Sequence, residues 1–372
     1  MHQPTLEELF EIFSHFQTEG QAQTIRPFGS GHINDTFLVT CEGAKNQYIL
    51  QRVSSACFPK PVEVMENVRG VTEHLRRIIV AADGDPERET LTLLPAKDGS
   101  CWYVDADGDC WRVYLNIADT RTYQLPENEQ VFQEAGAAFG KFQMMLADYP
   151  AETLHETIPH FHDTVSRVAA LRQAMAEDRA GRLASVSAET AFALARAEKA
   201  GTLVAQQQAG ELPLRVTHND TKLNNVLMDA ATGKGVCVID LDTVMPGLCA
   251  YDFGDAIRFG ANTAAEDEAD TSKIHFSLPM FRAYARGYLA AAGKALTPAE
   301  IRSLPLGAWM MTYEVGIRFL TDYLNGDVYF KVAYPEHNLV RARNQLALLA
   351  DMEKNEEAMA QVVASVMEEM GA

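Results

Sequence analysis

Apolar residues recur first at helical spacing and then at alternate positions. In TLEELFEIFSHF, Leu6, Leu9, Phe10, Phe13 and Phe16 share one helical face, and Thr5 with Glu8 has capping-box spacing, so a helix is expected first. Short β-like runs follow: TIRPF, DTFLVT after a Gly-containing turn, and QYILQRV. PVEVMENVRGVTEHLRRII then places Val64, Val68, Val71, Leu75 and Ile78 at helical spacing, before strands around LTLLP and the pair SCWYV and CWRVYLNI flanking DADGD. Beyond about residue 116 the period is helical: VFQEAGAAFGKFQMML carries Val131, Ala135, Ala138, Phe139 and Phe142 on one face, and further helices are expected over 163–208, 278–293, 298–324 and 336–370. Only VTHNDTKLNNVLMDAATGKGVCVIDLD interrupts them with strands. The pattern predicts an α+β chain with a small antiparallel-sheet N-terminal lobe (1–115) and a larger, mainly helical lobe (116–372).

Composition bounds the function. At 372 residues and 47% hydrophobic the chain can bury a substantial core, and its net charge of -19 opposes binding to nucleic acid or an anionic membrane. MHQPTLEELF does not read as a signal peptide and no run has the length of a membrane span, so a cytoplasmic protein is expected, as a monomer or weak homo-oligomer. The six cysteines lack CxxC spacing, which reads as reduced core thiols and not as a zinc site or a disulfide scaffold. AAEDEAD is a brief acidic loop, and His160 and His162 read as loop or capping residues ahead of a helix near Asp163.

The chemistry concentrates in the strand-containing stretch. His218-x-Asp220-x-x-x-x-Asn225 has the spacing of a phosphoryl-transfer catalytic loop, in which the aspartate accepts the acceptor hydroxyl's proton and the asparagine holds a metal. Lys222 could neutralise charge on the transferred group. A hairpin centred on DAATGKG would set Asn225 opposite Asp240, joining an amide oxygen to a carboxylate as ligands for Mg2+. Asp252-Phe253-Gly254 spells DFG but lies outside the hairpin, so Asp252 and Asp255 are read as capping or bracing residues.

The sheet lobe supplies a nucleotide cover. Gly29-Ser30-Gly31-His32-Ile33-Asn34 lies between two strands and suits a loop folded over phosphates, with Gly29, Gly31 and Asn34 as contacts. A cation paired with an acid is also needed. The third strand offers Gln51 or Arg52 and the following helix Glu63 or Glu66; Arg52 with Glu66 is the expected pair. Backbone groups of Val113, Tyr114 and Leu115 are the expected adenine edge, making ATP the co-substrate.

Together HNDTKLNN, VIDLD and YDFGD resemble the aminoglycoside phosphotransferase and choline kinase superfamily, which implies a bilobal protein-kinase-like fold. More narrowly, GSGHINDTFLV, YILQRV, PVEVMENV, VTHNDTKLNNVL, VIDLDTVMPG, YDFGDAIRFGANTAAEDEADTSK and HNLVRARNQL resemble bacterial N-acetylhexosamine 1-kinases. That resemblance implies ATP- and magnesium-dependent phosphorylation of the anomeric hydroxyl of N-acetylglucosamine or N-acetylgalactosamine. It implies Asp220 as base, Asn225 and Asp240 as magnesium ligands, and His32, Asp242, Arg318 and Tyr329 in the sugar pocket. Arg318 sits among apolar neighbours in TYEVGIRFLTDYL and must have a partner, for which Glu314, one turn earlier, is placed; Tyr329 reads equally as core. The competing readings are a kinase of another acceptor (aminoglycoside, choline or a different sugar) and an inactive nucleotide-binding scaffold.

Overall fold

The computed structural model describes residues 3–29 and 33–371. These form two compact units: residues 1–121, 148–159 and 227–246 in one, and 122–147, 160–226 and 247–372 in the other. The α+β class expected from the pattern is present, with an antiparallel sheet in the first unit and mainly helices in the second.

In the first unit, helix α1 (Leu6–Ser14) is capped by the Thr5 and Glu8 pair as its spacing predicts. Strands β1 (Ala22–Pro27), β2 (Asp35–Cys41), β3 (Gln47–Val53), β4 (Tyr103–Val104) and β5 (Cys110–Leu115) form one sheet in the order β1-β2-β3-β5-β4. The two-residue period of a strand divides its residues between two faces. Val39, Tyr48, Leu50, Trp111 and Val113 pack with Leu9, Ile12, Phe13 and Phe16 of the α1 segment. Gln51 and Arg112, paired in register, take the opposite face, where Met65 of helix α2 (Pro61–Ala81) meets Arg112. The LTLLP stretch does not extend as a strand. It contributes an isolated bridge at Leu93 and hydrogen bonds from Leu94 N to Val113 O and from Leu115 N to Thr92 O.

The same unit contains a three-stranded sheet in the order β6-β8-β9, built from β6 (Thr120–Arg121), β8 (Val226–Asp229) and β9 (Gly235–Val238); β7 (Arg215–Thr217) belongs to the second unit. The DAATGKG turn forms as expected. Asp229 closes it by accepting the N–H groups of Ala231 and Thr232, which with the Thr232 hydroxyl and Arg88 hold its carboxyl down to about 2.

The second unit packs the helices Glu129–Met145, Thr164–Glu177, Cys249–Gly260, Leu278–Ala292, Pro298–Asn325, His337–Lys354 and Glu356–Glu369. The helical stretch expected at 163–208 breaks after Glu177, where Asp178 turns left-handed and its carboxylate accepts the N–H groups of Arg182 and Leu183. The one expected over 336–370 breaks at Asn355. All six cysteines are free, but Cys57 is exposed and Cys101 half-buried, so only four are core thiols. Among the described residues no helix is long and apolar enough to cross a membrane.

Glycine sets the closest helix approach. A Cβ at Gly287 would lie 2.0 Å from the Gln133 carbonyl oxygen, and one at Gly136 would lie 2.4 Å from that of Tyr284, so these two backbones touch. Gly287→Ala must push the helices apart and is expected to lower stability by about 1–3 kcal/mol, read as a lower urea midpoint. An unchanged midpoint would mean that the helices have slack there.

Candidate active site

The catalytic-loop sequence enters from β7 and is held in the second unit by side chains. Four successive backbone N–H groups end on them. His218 N and Asn219 N donate to the two oxygens of Asp252 at 2.8 and 2.7 Å, Asp220 N to His218 Nδ1 at 3.2 Å, and Thr221 N to Asp255 Oδ2 at 3.0 Å. The Thr221 hydroxyl adds a bond to the Asp252 carbonyl. Asn219 adopts φ 63, a left-handed turn that asparagine tolerates better than most residues, and fixes it through bonds between its side chain and Thr217. His218 is fully buried, with its ring against the edges of Phe139 and Phe142. Asp252 and Asp255 thus brace the loop, as expected of the DFG-like segment.

This loop presents Asp220, whose side chain is 24% exposed. Its Oδ1 takes Lys222 Nζ at 2.8 Å and its Oδ2 takes Asn225 Nδ2 at 3.3 Å. Burial alone would raise the Asp220 pKa. The charge and hydrogen bond of Lys222, with the charge of Arg258, outweigh it and hold the carboxyl below its ordinary range. The group is ionised near neutrality and aligned by two donors, which suits orienting a hydroxyl for attack. Asn225 Nδ2 also donates to the Asp220 carbonyl at 2.9 Å, so both amide hydrogens face Asp220 and the amide oxygen is left as an acceptor.

The structure changes the expectation for Asn225 and Asp240. β8 starts at Val226 and β9 ends at Val238, so both residues lie outside the ladder and register does not pair them. Asn225 ends a 3-10 turn, Leu223–Asn225, and Asp240 stands in the left-handed region at φ 61. They belong to different units.

The expected Arg52 and Glu66 pair does not form. Arg52 bonds Asp35 and Asp109, while Glu66 bonds His155 at 2.7 Å and Glu63 bonds Lys60. Strand period is the reason: Arg52 shares the α1 face with Tyr48, Leu50 and its register partner Trp111, and its guanidinium lies 5.6 Å from the Trp111 ring. Gln51 takes the other face, and its Oε1 accepts from Arg112 Nε and Nη2 at 3.0 and 2.8 Å. Arg112, 1% exposed, forms an ion pair with Asp242. The second Asp242 oxygen accepts from Asn34 Nδ2 at 2.6 Å, and Asn34 Oδ1 takes Ser54 N. Asp242, expected in a sugar pocket, is therefore a buried counter-ion, and Asn34 braces it. Arg112 is a buried charged residue that the motifs did not single out.

Two backbone groups of the expected adenine edge are already used, because the Val113 carbonyl and Leu115 N–H are bonded to Leu94 and Thr92. Tyr114 is buried, and its hydroxyl has no hydrogen-bond partner among the described residues. Gly29 is left-handed at φ 79 with open space around it, whereas Gly31 and His32 lie outside the described residues.

In the second unit Arg318 has the expected partner, Glu314, at 3.6 Å. Glu314 also takes His162 Nδ1 at 3.0 Å, so His162 is more than a capping residue. The Arg318 guanidinium lies 5.3 to 5.9 Å from the rings of Phe161, Phe330 and Tyr329. Tyr329 is 67% exposed and not core. Its N–H, with those of Val328 and Phe330, is anchored on the Asp322 carboxylate.

A sequence model of the phosphotransferase enzyme family matches residues 24–296, well over half of the chain. The chain belongs to that family. Among solved structures, an aminoglycoside phosphotransferase from Alicyclobacillus acidocaldarius is similar at TM-score 0.59 and 13% identity, covering 96% of this chain and 98% of that one. A choline kinase from Cryptosporidium parvum gives 0.56 and 13%, covering 92% of each chain. A spectinomycin phosphotransferase, solved in complex with ADP and spectinomycin, gives 0.57 and 11%, covering 95% and 99%. At these identities the likeness establishes a shared fold. Within this phosphotransferase family fold, HxDxxxxN and the bracing acids are the features that sequence and geometry share.

Glu314 provides a pH test. Burial would raise its pKa, but His162, Arg318 and Arg167 together keep it depressed. A depressed carboxyl adds stability above its unfolded pKa of about 4.3, and that stability is lost as pH falls through the folded value. Glu314→Gln should therefore lose less urea stability than wild type as pH falls from about 5 to about 3, through and below the unfolded pKa. An equal loss would show that the carboxylate is not favoured by these cations.

Proposed function

We propose that this phosphotransferase is an ATP- and magnesium-dependent kinase that phosphorylates the anomeric hydroxyl of an N-acetylhexosamine, N-acetylglucosamine or N-acetylgalactosamine. The observation that carries the reading is the Asp220 carboxylate, ionised and held between Lys222 and Asn225 on a loop whose amides from His218 to Thr221 are fixed. In this reading Asp220 accepts the sugar hydroxyl's proton and orients its oxygen for in-line attack, and Lys222 meets charge on the transferred phosphoryl group. Asn225, through its spare amide oxygen, and Asp240 are each proposed as a magnesium ligand. When bound, the ion neutralises charge on the nucleotide phosphates. Magnesium suits such a sparse donor set, since it takes few protein oxygens and keeps water and phosphate as its other ligands. ATP as donor is supported by family membership and by the fold shared with the ADP-bound spectinomycin phosphotransferase.

A sugar acceptor draws support from one group of side chains in the second unit. Arg318 and Arg167 present positive charge beside an aromatic group formed by Phe161, Tyr329 and Phe330. Aromatic faces suit the C–H surface of a sugar ring, and a guanidinium donates to hydroxyl or acetamido oxygens.

The test is to incubate the purified protein with ATP, magnesium and each N-acetylhexosamine, and to locate the new phosphate by phosphorus–carbon coupling. Phosphate on the anomeric carbon is expected; turnover of aminoglycosides or choline alone would overturn the acceptor assignment. Asp220→Asn should lower kcat by about 10²–10⁴-fold with the thermal midpoint retained. Near-normal turnover in that variant would remove Asp220 from the base role.

A further inference from the structure

The phosphate-facing cation is missing from its usual place. In protein kinases a lysine on the third strand, paired with a glutamate of the following helix, contacts the nucleotide's phosphates. Here β3 offers Gln51 on the face toward α2, and Arg52 is turned to the other face and consumed by Asp35 and Asp109. The first unit nevertheless holds a buried cation on that face.

We propose that Arg112, on β5, is the residue that orients the nucleotide's phosphates, with the Tyr114 hydroxyl as its companion donor and Asp242 as its counter-ion. The inference rests on the nucleotide reading above. Arg112 stands directly opposite Gln51 in the ladder, so its guanidinium serves the strand position from which the lysine is absent. Gln51 binds both Nε and Nη2 and fixes the plane of the group, while Asp242 takes Nη1. One Nη2 hydrogen remains for a ligand. Tyr114, two residues on and on the same face, has its ring 5.0 Å from the guanidinium and keeps a buried hydroxyl with no hydrogen-bond partner among the described residues. A buried hydroxyl left unpaired is unfavourable, and a phosphate oxygen would satisfy it. Asp240, the proposed metal acid, lies near enough for its charge to act on both Arg112 and Tyr114.

Titration calorimetry of the full chain with adenosine and with ADP plus magnesium measures how much of the binding comes from phosphate. Tyr114→Phe removes a hydroxyl that makes no bond among the described residues, so it should fold normally, and Arg112→Lys keeps the charge that Asp242 needs. Each is expected to lower the ratio of ADP affinity to adenosine affinity by about 3–10-fold, with adenosine affinity unchanged, and Arg112→Met by more than tenfold. In Arg112→Met, adding Gln51→Lys should recover part of the loss by returning the cation to β3. Folded Tyr114→Phe and Arg112→Lys proteins that keep the wild-type ratio would overturn the assignment and leave the nucleotide reading intact. A wild-type protein that binds ADP no better than adenosine would overturn both.

Discussion

Two buried carboxylates decide what the catalytic loop can do. A tight turn through His218, Asn219, Asp220 and Thr221 leaves its N–H groups without a strand or helix to bond, and each buried donor left unpaired would cost about 1–3 kcal/mol. Asp252 satisfies two of them, Asp255 a third and the His218 ring the fourth. The acids are themselves sustained. Burial raises the Asp252 pKa against the opposing effect of His218 and the two amides, and Arg258 forms a paired contact with Asp255 while reaching Glu266. The loop is thus built from the helix Cys249–Gly260 outward, and Asp220 is the residue that this framework leaves partly open.

In the role proposed for it, Asp220 acts as a fixed base rather than a strong one. Asp220 is held below the ordinary carboxyl range by Lys222, and a weakly basic carboxylate contributes by aiming a hydroxyl more than by removing its proton early. The first unit obeys the same logic of fixed charge. Arg112, Asp242, Gln51 and Asn34 satisfy one another in the interior, so a full charge persists there with its direction set by neighbours.

Much of this was legible in the sequence where one physical rule acts alone. Helical periodicity located α1, α2 and the long helices, and HxDxxxxN located the loop, because a catalytic spacing is local. The bracing role of Asp252 and Asp255 was readable from their position at a helix start. Pairing of side chains across strands was less legible: Arg52 looked like the lid cation until the two-residue period placed it beside Trp111, and Asn225 and Asp240 were assigned to a ladder that stops short of both. A signal for Arg112 was present. An arginine inside the apolar run CWRVYL requires a buried partner, the argument that correctly found Glu314 for Arg318. Tyr329 could not be judged from residue type, since its exposure depends on the Asp322 anchor, which only the folded loop creates.

Native-state hydrogen exchange at the His218, Asn219 and Thr221 amides tests the framework most directly. If Asp252 and Asp255 hold the loop as a rigid support for Asp220, these three amides exchange only through large openings, with protection close to that of the buried helix Cys249–Gly260. Exchange as fast as in the exposed segment around residues 264–270 would mean that the loop opens independently of its bracing acids, and the account of Asp220 as a pre-aligned base would fail.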